Sequence, residues 1–201
     1  MKRAVHTIVA LLCGVVLLSS CATGTDAVAT GGTFDFVSPG GETRIVYDPP
    51  ADRGTLGTLT GEDLMNEGQT ISLDDFEGEV VVVNVWGAWC APCRNEADDL
   101  EEVYQETKDL GVAFLGINVR DNHRDKAQDF VVDQQVGYPS IYDPSMRSLL
   151  ALGRNYPTSV VPTTVVLDRE HRVAAVYLTE LLASDLQPVV ERLAAEPRQE
   201  Q

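Results

Sequence analysis

Val80-Val81-Val82-Val83-Asn84-Val85-Trp86-Gly87-Ala88-Trp89-Cys90-Ala91-Pro92-Cys93 decides the fold: a β-branched run breaks into a short turn and a pair of closely spaced cysteines. Val80 to Val85, interrupted only by Asn84, predicts a central strand covered on both faces. Beyond the cysteines, Ala97, Leu100, Val103 or Tyr104, Thr107 and Leu110 recur at helical spacing, with acidic residues between them and Gly111 as the stop. Cys90 therefore falls at a strand-to-helix junction, where unpaired backbone N–H groups and the helix dipole favour a thiolate. A lowered thiol pKa makes Cys90 a nucleophile, and Cys93 can close a disulfide with it. The chemistry implied is reversible exchange between dithiol and disulfide.

Outward from this junction, Val112 to Val119 predicts a second buried strand and Lys126 to Gln135 a helix ended by Gly137. Tyr138 to Tyr142 predicts a short strand and Met146 to Leu152 a short helix. Thr163 to Leu167, a charged turn and Val173 to Leu178 predict an antiparallel hairpin. A last helix spans Ser184 to Ala195, capped by Ser184 or Asp185. Between Thr33 and Leu73, Phe34 to Val37 and Arg44 to Tyr47 alternate between Pro and Gly clusters, as hairpins or short edge strands do. This order describes an α/β protein, a mixed central sheet sandwiched by helices.

Lys2 and Arg3 precede an uncharged apolar stretch, Ala4 to Leu18, the charged and apolar regions of an export signal. It is short for a stable membrane span of about 20 residues. Leu18-Ser19-Ser20-Cys21 resembles the lipobox of bacterial lipoproteins, which implies an acylated Cys21 and a chain lying outside the cytoplasm. The expected organisation is a signal at 1–20, a flexible tether at 21–32 starting from lipidated Cys21, one domain at 33–197 and a tail at 198–201. Cys13 leaves with the signal and Cys21 carries lipid, so Cys90 and Cys93 are the thiols left to the domain. A pair closing so short a loop restricts the unfolded chain little, which favours a redox role over a structural one. Zinc would need two further ligands, and His123 and His171 lack ligand-pair spacing. No metal, nucleotide or haem is expected. The net charge of −16 argues against nucleic acid as a partner, since phosphate binding needs clustered Lys and Arg.

Asn84 to Glu96, together with Val161-Pro162-Thr163-Thr164 ahead of the hairpin, resembles the thioredoxin-like superfamily. Within it the chain is similar to the membrane-tethered extracytoplasmic thiol-disulfide oxidoreductases of the ResA, TlpA and DsbE type, over roughly Leu73 to the last helix. The resemblance implies a three-layer sandwich with an N-terminal β extension and an inserted strand and helix between Tyr138 and Leu152. It implies a cis Pro162 and a Val161 whose backbone pairs with client protein. A sharp cis turn directly before a buried strand is the independent physical argument for Pro162.

The roles expected are these. Cys90, exposed at the helix start, attacks the client disulfide; Cys93, more buried, resolves the mixed disulfide. Ala91 and Pro92 help set the potential. Trp89 either offers a flat apolar surface beside the sulfur or packs in the core, and Trp86 is core. Asn84 stands where thioredoxin has a buried acid, so Glu96 becomes the candidate proton acceptor for Cys93; the alternative is an exposed first-turn glutamate favoured by the helix dipole. The resemblance further implies a reductant of client disulfides such as those of apocytochrome c, lipid-anchored on the outer face of the cell membrane and fed by a transmembrane thiol reductase. The alternatives are a DsbA/DsbE-like oxidant and, in another class, a tethered client-binding module. The residues before Cys90 lack the Pro-x-x-x-Thr-x-x-Cys context of a peroxiredoxin.

Overall fold

The computed structural model describes residues 28–30, 32–153 and 155–197. In chain order the strands among them are β1 (Val28–Thr30), β2 (Arg44–Val46), β3 (Thr58–Glu62), β4 (Thr70–Ser72), β5 (Val80–Trp86), β6 (Val112–Val119), β7 (Ser140–Asp143), β8 (Thr163–Leu167) and β9 (Val173–Tyr177). The α-helices are α1 (Ala91–Thr107), α2 (Arg124–Asp133) and α3 (Ala183–Ala194).

The apolar run forms β5, which is buried at every residue because both its edges and both its faces are covered. β6 pairs with it in parallel, from Val80 opposite Val112 to Trp86 opposite Asn118, and β8 pairs antiparallel on the other side. The central sheet has the order β2-β9-β8-β5-β6-β7, with β5, β6 and β7 parallel to one another and the other neighbouring pairs antiparallel. This is the predicted mixed sheet. The hairpin β8–β9 is as the sequence predicts, while β2 is an edge strand held by a partner more than a hundred residues away.

Side chains alternate across β5 and so build two cores. Val80 and Val82 meet Leu100 and Val103 of α1 and Leu186, Val190 and Leu193 of α3. Beside them Phe130 of α2 stacks on Trp86 at 4.7 Å between ring centroids. On the opposite face, Val81, Val83 and Val85 pack against Phe34, Phe36, Leu59, Ile71, Leu149 and Leu152. Each such fully buried side chain contributes about 1.5–3 kcal/mol of apolar transfer energy. The third layer is therefore the N-terminal β extension, with its small sheet β1-β3-β4, plus the 3-10 helix Arg147–Leu152 of the inserted element, whose strand β7 forms an edge of the central sheet.

Several expectations need correction. Val28–Thr30 pairs with β3, so the span expected to be a tether up to residue 32 already contains a strand; an unpaired edge of β3 accepts it through backbone hydrogen bonds. The signal at 1–20, Cys21 and the tail at 198–201 lie outside the described residues. Leu110, expected on the buried face of α1, is exposed, because a 3-10 turn at Lys108–Leu110 rotates it outward before Gly111 (φ 78°) stops the helix. α3 is capped from Asp185, which accepts the N–H of Leu182 at 3.3 Å, and not by Ser184. Asp48-Pro49 is cis as well as Val161-Pro162.

Candidate active site

β5 delivers the chain to the end of the sheet, and α1 starts there with Cys90 as its N-cap. The backbone of Cys90 is extended (φ −89°, ψ 110°), and its Sγ accepts the N–H of Cys93 at 3.2 Å. The two sulfurs form a disulfide. Each cysteine is only 3% exposed. Cys90 is thus not the exposed member of an unequal pair: its side chain turns inward to Cys93 and packs in the cluster formed by Trp86, Ala97, Phe130 and Leu64. Ala91 and Pro92 are exposed beside it at the helix start.

Trp89 is 48% exposed, which decides for a surface platform over core packing; Trp86 is the core residue. The Trp89 indole Nε1 donates to the Val119 carbonyl at 3.0 Å, lying over Gly87. A Cβ on Gly87 would stand 2.3 Å from that nitrogen, so the platform needs glycine there. Asp121, just past the end of β6, is buried and accepts the Ala88 N–H at 2.8 Å and the Asn118 amide at 2.7 Å. It pins the turn that carries Trp89 and Cys90. The signal was available: an acid just past the end of a strand parallel to β5 falls beside the junction. Arg120 was also missed; its guanidinium lies 5.6 Å above the Trp89 ring.

Glu96 is 1% exposed and so is not the exposed first-turn glutamate of the alternative. Asn84 Nδ2 donates to one carboxyl oxygen at 2.9 Å, and the Leu181 N–H to the other at 3.0 Å. Burial pushes its pKa up to about 7, with these two donors opposing the shift. Asn84 also donates to Thr164 at 3.1 Å, and with Cys93 it lines one small cavity. The residue replacing thioredoxin's acid therefore links Glu96 to the surroundings of Cys93.

Pro162 is cis and buried, and Val161 packs against the cysteine cluster. The pairing of β8 with β5 ends at Thr163 opposite Val85, so the Val161 backbone lies beyond the ladder at the open end of the site. His171 faces the Phe76 carbonyl at 3.1 Å. No helix among the described residues is long and apolar enough to cross a membrane.

A disulfide at a helix N-cap, a cis proline ahead of the neighbouring antiparallel strand and an exposed indole next to the first cysteine define a thiol-disulfide oxidoreductase of thioredoxin fold. The family model described as AhpC/TSA matches residues 58–176, and the chain belongs to that family. The chain is similar to the thiol-disulfide oxidoreductase ResA of Halalkalibacterium halodurans, with 28% identity over 64% of this chain and 71% of that one. It is 30% identical to the thiol:disulfide interchange protein DsbE of Allochromatium vinosum, over 73% of this chain and 77% of that one. A solved structure, a secreted thiol-disulfide isomerase from Corynebacterium glutamicum, superposes with a TM-score of 0.79 at 50% identity, covering 83% of this chain and 100% of its own.

Proposed function

We propose that this oxidoreductase acts outside the cytoplasm as a reductant of client disulfides, such as those formed between the haem-attachment cysteines of apocytochrome c. The observation that carries the proposal is the buried Glu96, one helical turn after Cys93, with a pKa near 7. A resolving thiol needs a proton acceptor at that point, and a carboxyl matched to ambient pH serves best.

In the proposed cycle, the Cys90 thiolate attacks one client sulfur, the client S–S bond breaks, and the other client sulfur leaves as a thiolate. Cys93 gives its proton to Glu96 and attacks the Cys90 sulfur. The client leaves with both cysteines reduced, and the protein retains the Cys90 to Cys93 disulfide. Trp89, Ala91 and Pro92 shape the surface the client meets, and Val161 pairs with the client backbone next to Pro162. A transmembrane thiol reductase returns the two electrons. Lipid on Cys21 holds the domain at the membrane surface, with 21–27 as the spacer; Cys21→Ser is expected to release the protein from the membrane fraction.

A second reading, disulfide formation or isomerisation in secreted proteins, is favoured by the solved relative described as a secreted isomerase. The equilibrium reduction potential of the full chain separates the two. A value below about −250 mV supports the reductant, and one above about −150 mV the oxidant. Glu96→Gln is expected to leave formation of the mixed disulfide unchanged and slow its resolution about a hundred-fold in single-turnover experiments. Unchanged resolution would remove Glu96 from the mechanism.

A further inference from the structure

Two guanidinium groups flank the segment Ala88-Trp89-Cys90, and among the described residues neither has a carboxylate partner. Arg94 donates to the Ala88 carbonyl at 3.0 Å and lies 5.5 Å above the Phe130 ring. Arg120 lies 5.6 Å above the Trp89 ring and donates to the Thr158 carbonyl and the Met146 sulfur, both at 3.1 Å. Both arginines are exposed, and among the described residues no carboxylate stands within ion-pair distance of either. Five arginines elsewhere are matched: Arg44 with Asp185, Arg53 and Arg172 with Asp168, Arg124 with Glu62, and Arg192 with Glu196, whereas Arg169 donates to the Ala194 carbonyl. In a chain of net charge −16, two such cations stand together beside the redox cysteines.

A guanidinium can stack on an aromatic face and still present N–H groups in the plane of a carboxylate. Thr158 lies in the loop leading to Val161 and Pro162, so Arg120 joins the indole platform to the wall along which a client strand would run. Resting on the client exchange put forward above, we propose that Arg120, assisted by Arg94, selects extended client segments that carry Asp or Glu next to the reactive cysteine. The net charge alone favours basic clients. Local charge decides instead, because solvent at about 0.1 M salt screens distant carboxylates beyond about 10 Å, while a docked carboxylate meets the guanidinium directly.

The test mixes the full chain, in reduced form, with disulfide-bonded peptides identical except for Asp, Ser or Lys after the cysteine, and reads second-order rates by tryptophan fluorescence. At low salt the Asp peptide is expected to react about three-fold faster than the Ser peptide, and the Lys peptide slower, with the differences shrinking as salt is added. Arg120→Gln is expected to bring the Asp to Ser ratio close to one, Arg94→Gln to lower it in part, and Arg120→Lys to retain most of it. Because the ratio compares peptides on one protein, any change in Cys90 thiolate stability cancels, and the Ser peptide rate reports an intact site in each variant. A wild-type ratio of one, a preference for Lys, or a ratio untouched by Arg120→Gln overturns the selection. Absence of exchange with every peptide, in either direction, overturns the proposed function as well.

Discussion

Glu96 is a carboxyl that folding removes from water, and its two hydrogen bonds only partly offset that cost. Its folded pKa of about 7 lies above the ordinary value of 4.5, so the folded state keeps a proton that the unfolded chain releases between those limits. Stability therefore falls as pH rises across that window, by about 3 kcal/mol in all, and levels off above it. Urea unfolding from pH 4 to 8 is expected to show this slope in the wild type and to lose it in Glu96→Gln. Asp121 is a buried acceptor for two donors. Asp121→Ala strands the Ala88 N–H and the Asn118 amide, and is expected to cost about 1–3 kcal/mol, read as a lower urea midpoint. Exchange should slow too, since the turn bearing Trp89 and Cys90 loses its anchor.

At the scale of elements, the junction is held where β5, β6 and β7 end together. Gly116 lies in β6 opposite Asn84, and the space its side chain would fill is occupied by the Ser140 hydroxyl and the Trp86 indole. These two groups are hydrogen-bonded at 3.2 Å. A Cβ on Gly116 would stand 2.1 Å from the Ser140 oxygen, so Gly116→Ala must separate strand from strand or break that bond. It is expected to cost about 1–3 kcal/mol from overpacking, seen as a lower melting temperature. α1 depends on the same region: Cys93, Glu96, Ala97, Leu100 and Val103 form its buried face. An apolar periodicity alone would leave out Glu96, because the pattern that marks buried positions counts only apolar residues.

Across the whole molecule, one buried cation ties the ends of the fold together. The Arg53 guanidinium, with no exposed side-chain surface, binds Asp168 at 3.0 Å and Glu196 at 2.8 and 2.9 Å, and also donates to the Tyr47 carbonyl at 3.1 Å. It joins the N-terminal extension to the β8–β9 turn and to the chain beyond α3. Arg53→Met is expected to cost about 3 kcal/mol by equilibrium unfolding, with Arg172 still paired to Asp168 at 2.9 Å. The hydrogen bond from Arg53 holds the Glu196 carboxyl below its ordinary 4.5. That contribution is present above pH about 4.5 and is lost as pH falls further, so with Glu96 acting from the other side, these two groups together place the stability maximum just below pH 4.5. The central strand, the helix behind the cysteines and the β8–β9 hairpin were legible in sequence, because each rests on local pattern: β-branched runs, helical spacing and a charged turn between two apolar runs; the cis Pro162 was legible through the family resemblance of Val161-Pro162-Thr163-Thr164. The equal burial of Cys90 and Cys93, the exposure of Trp89, the seat of Glu96 between Asn84 and Leu181, the anchor at Asp121 and the clamp at Arg53 were decided only by the tertiary structure. Each depends on side chains brought together from distant parts of the chain, and burial and pairing across such distances leave no periodic trace in the sequence that encodes them.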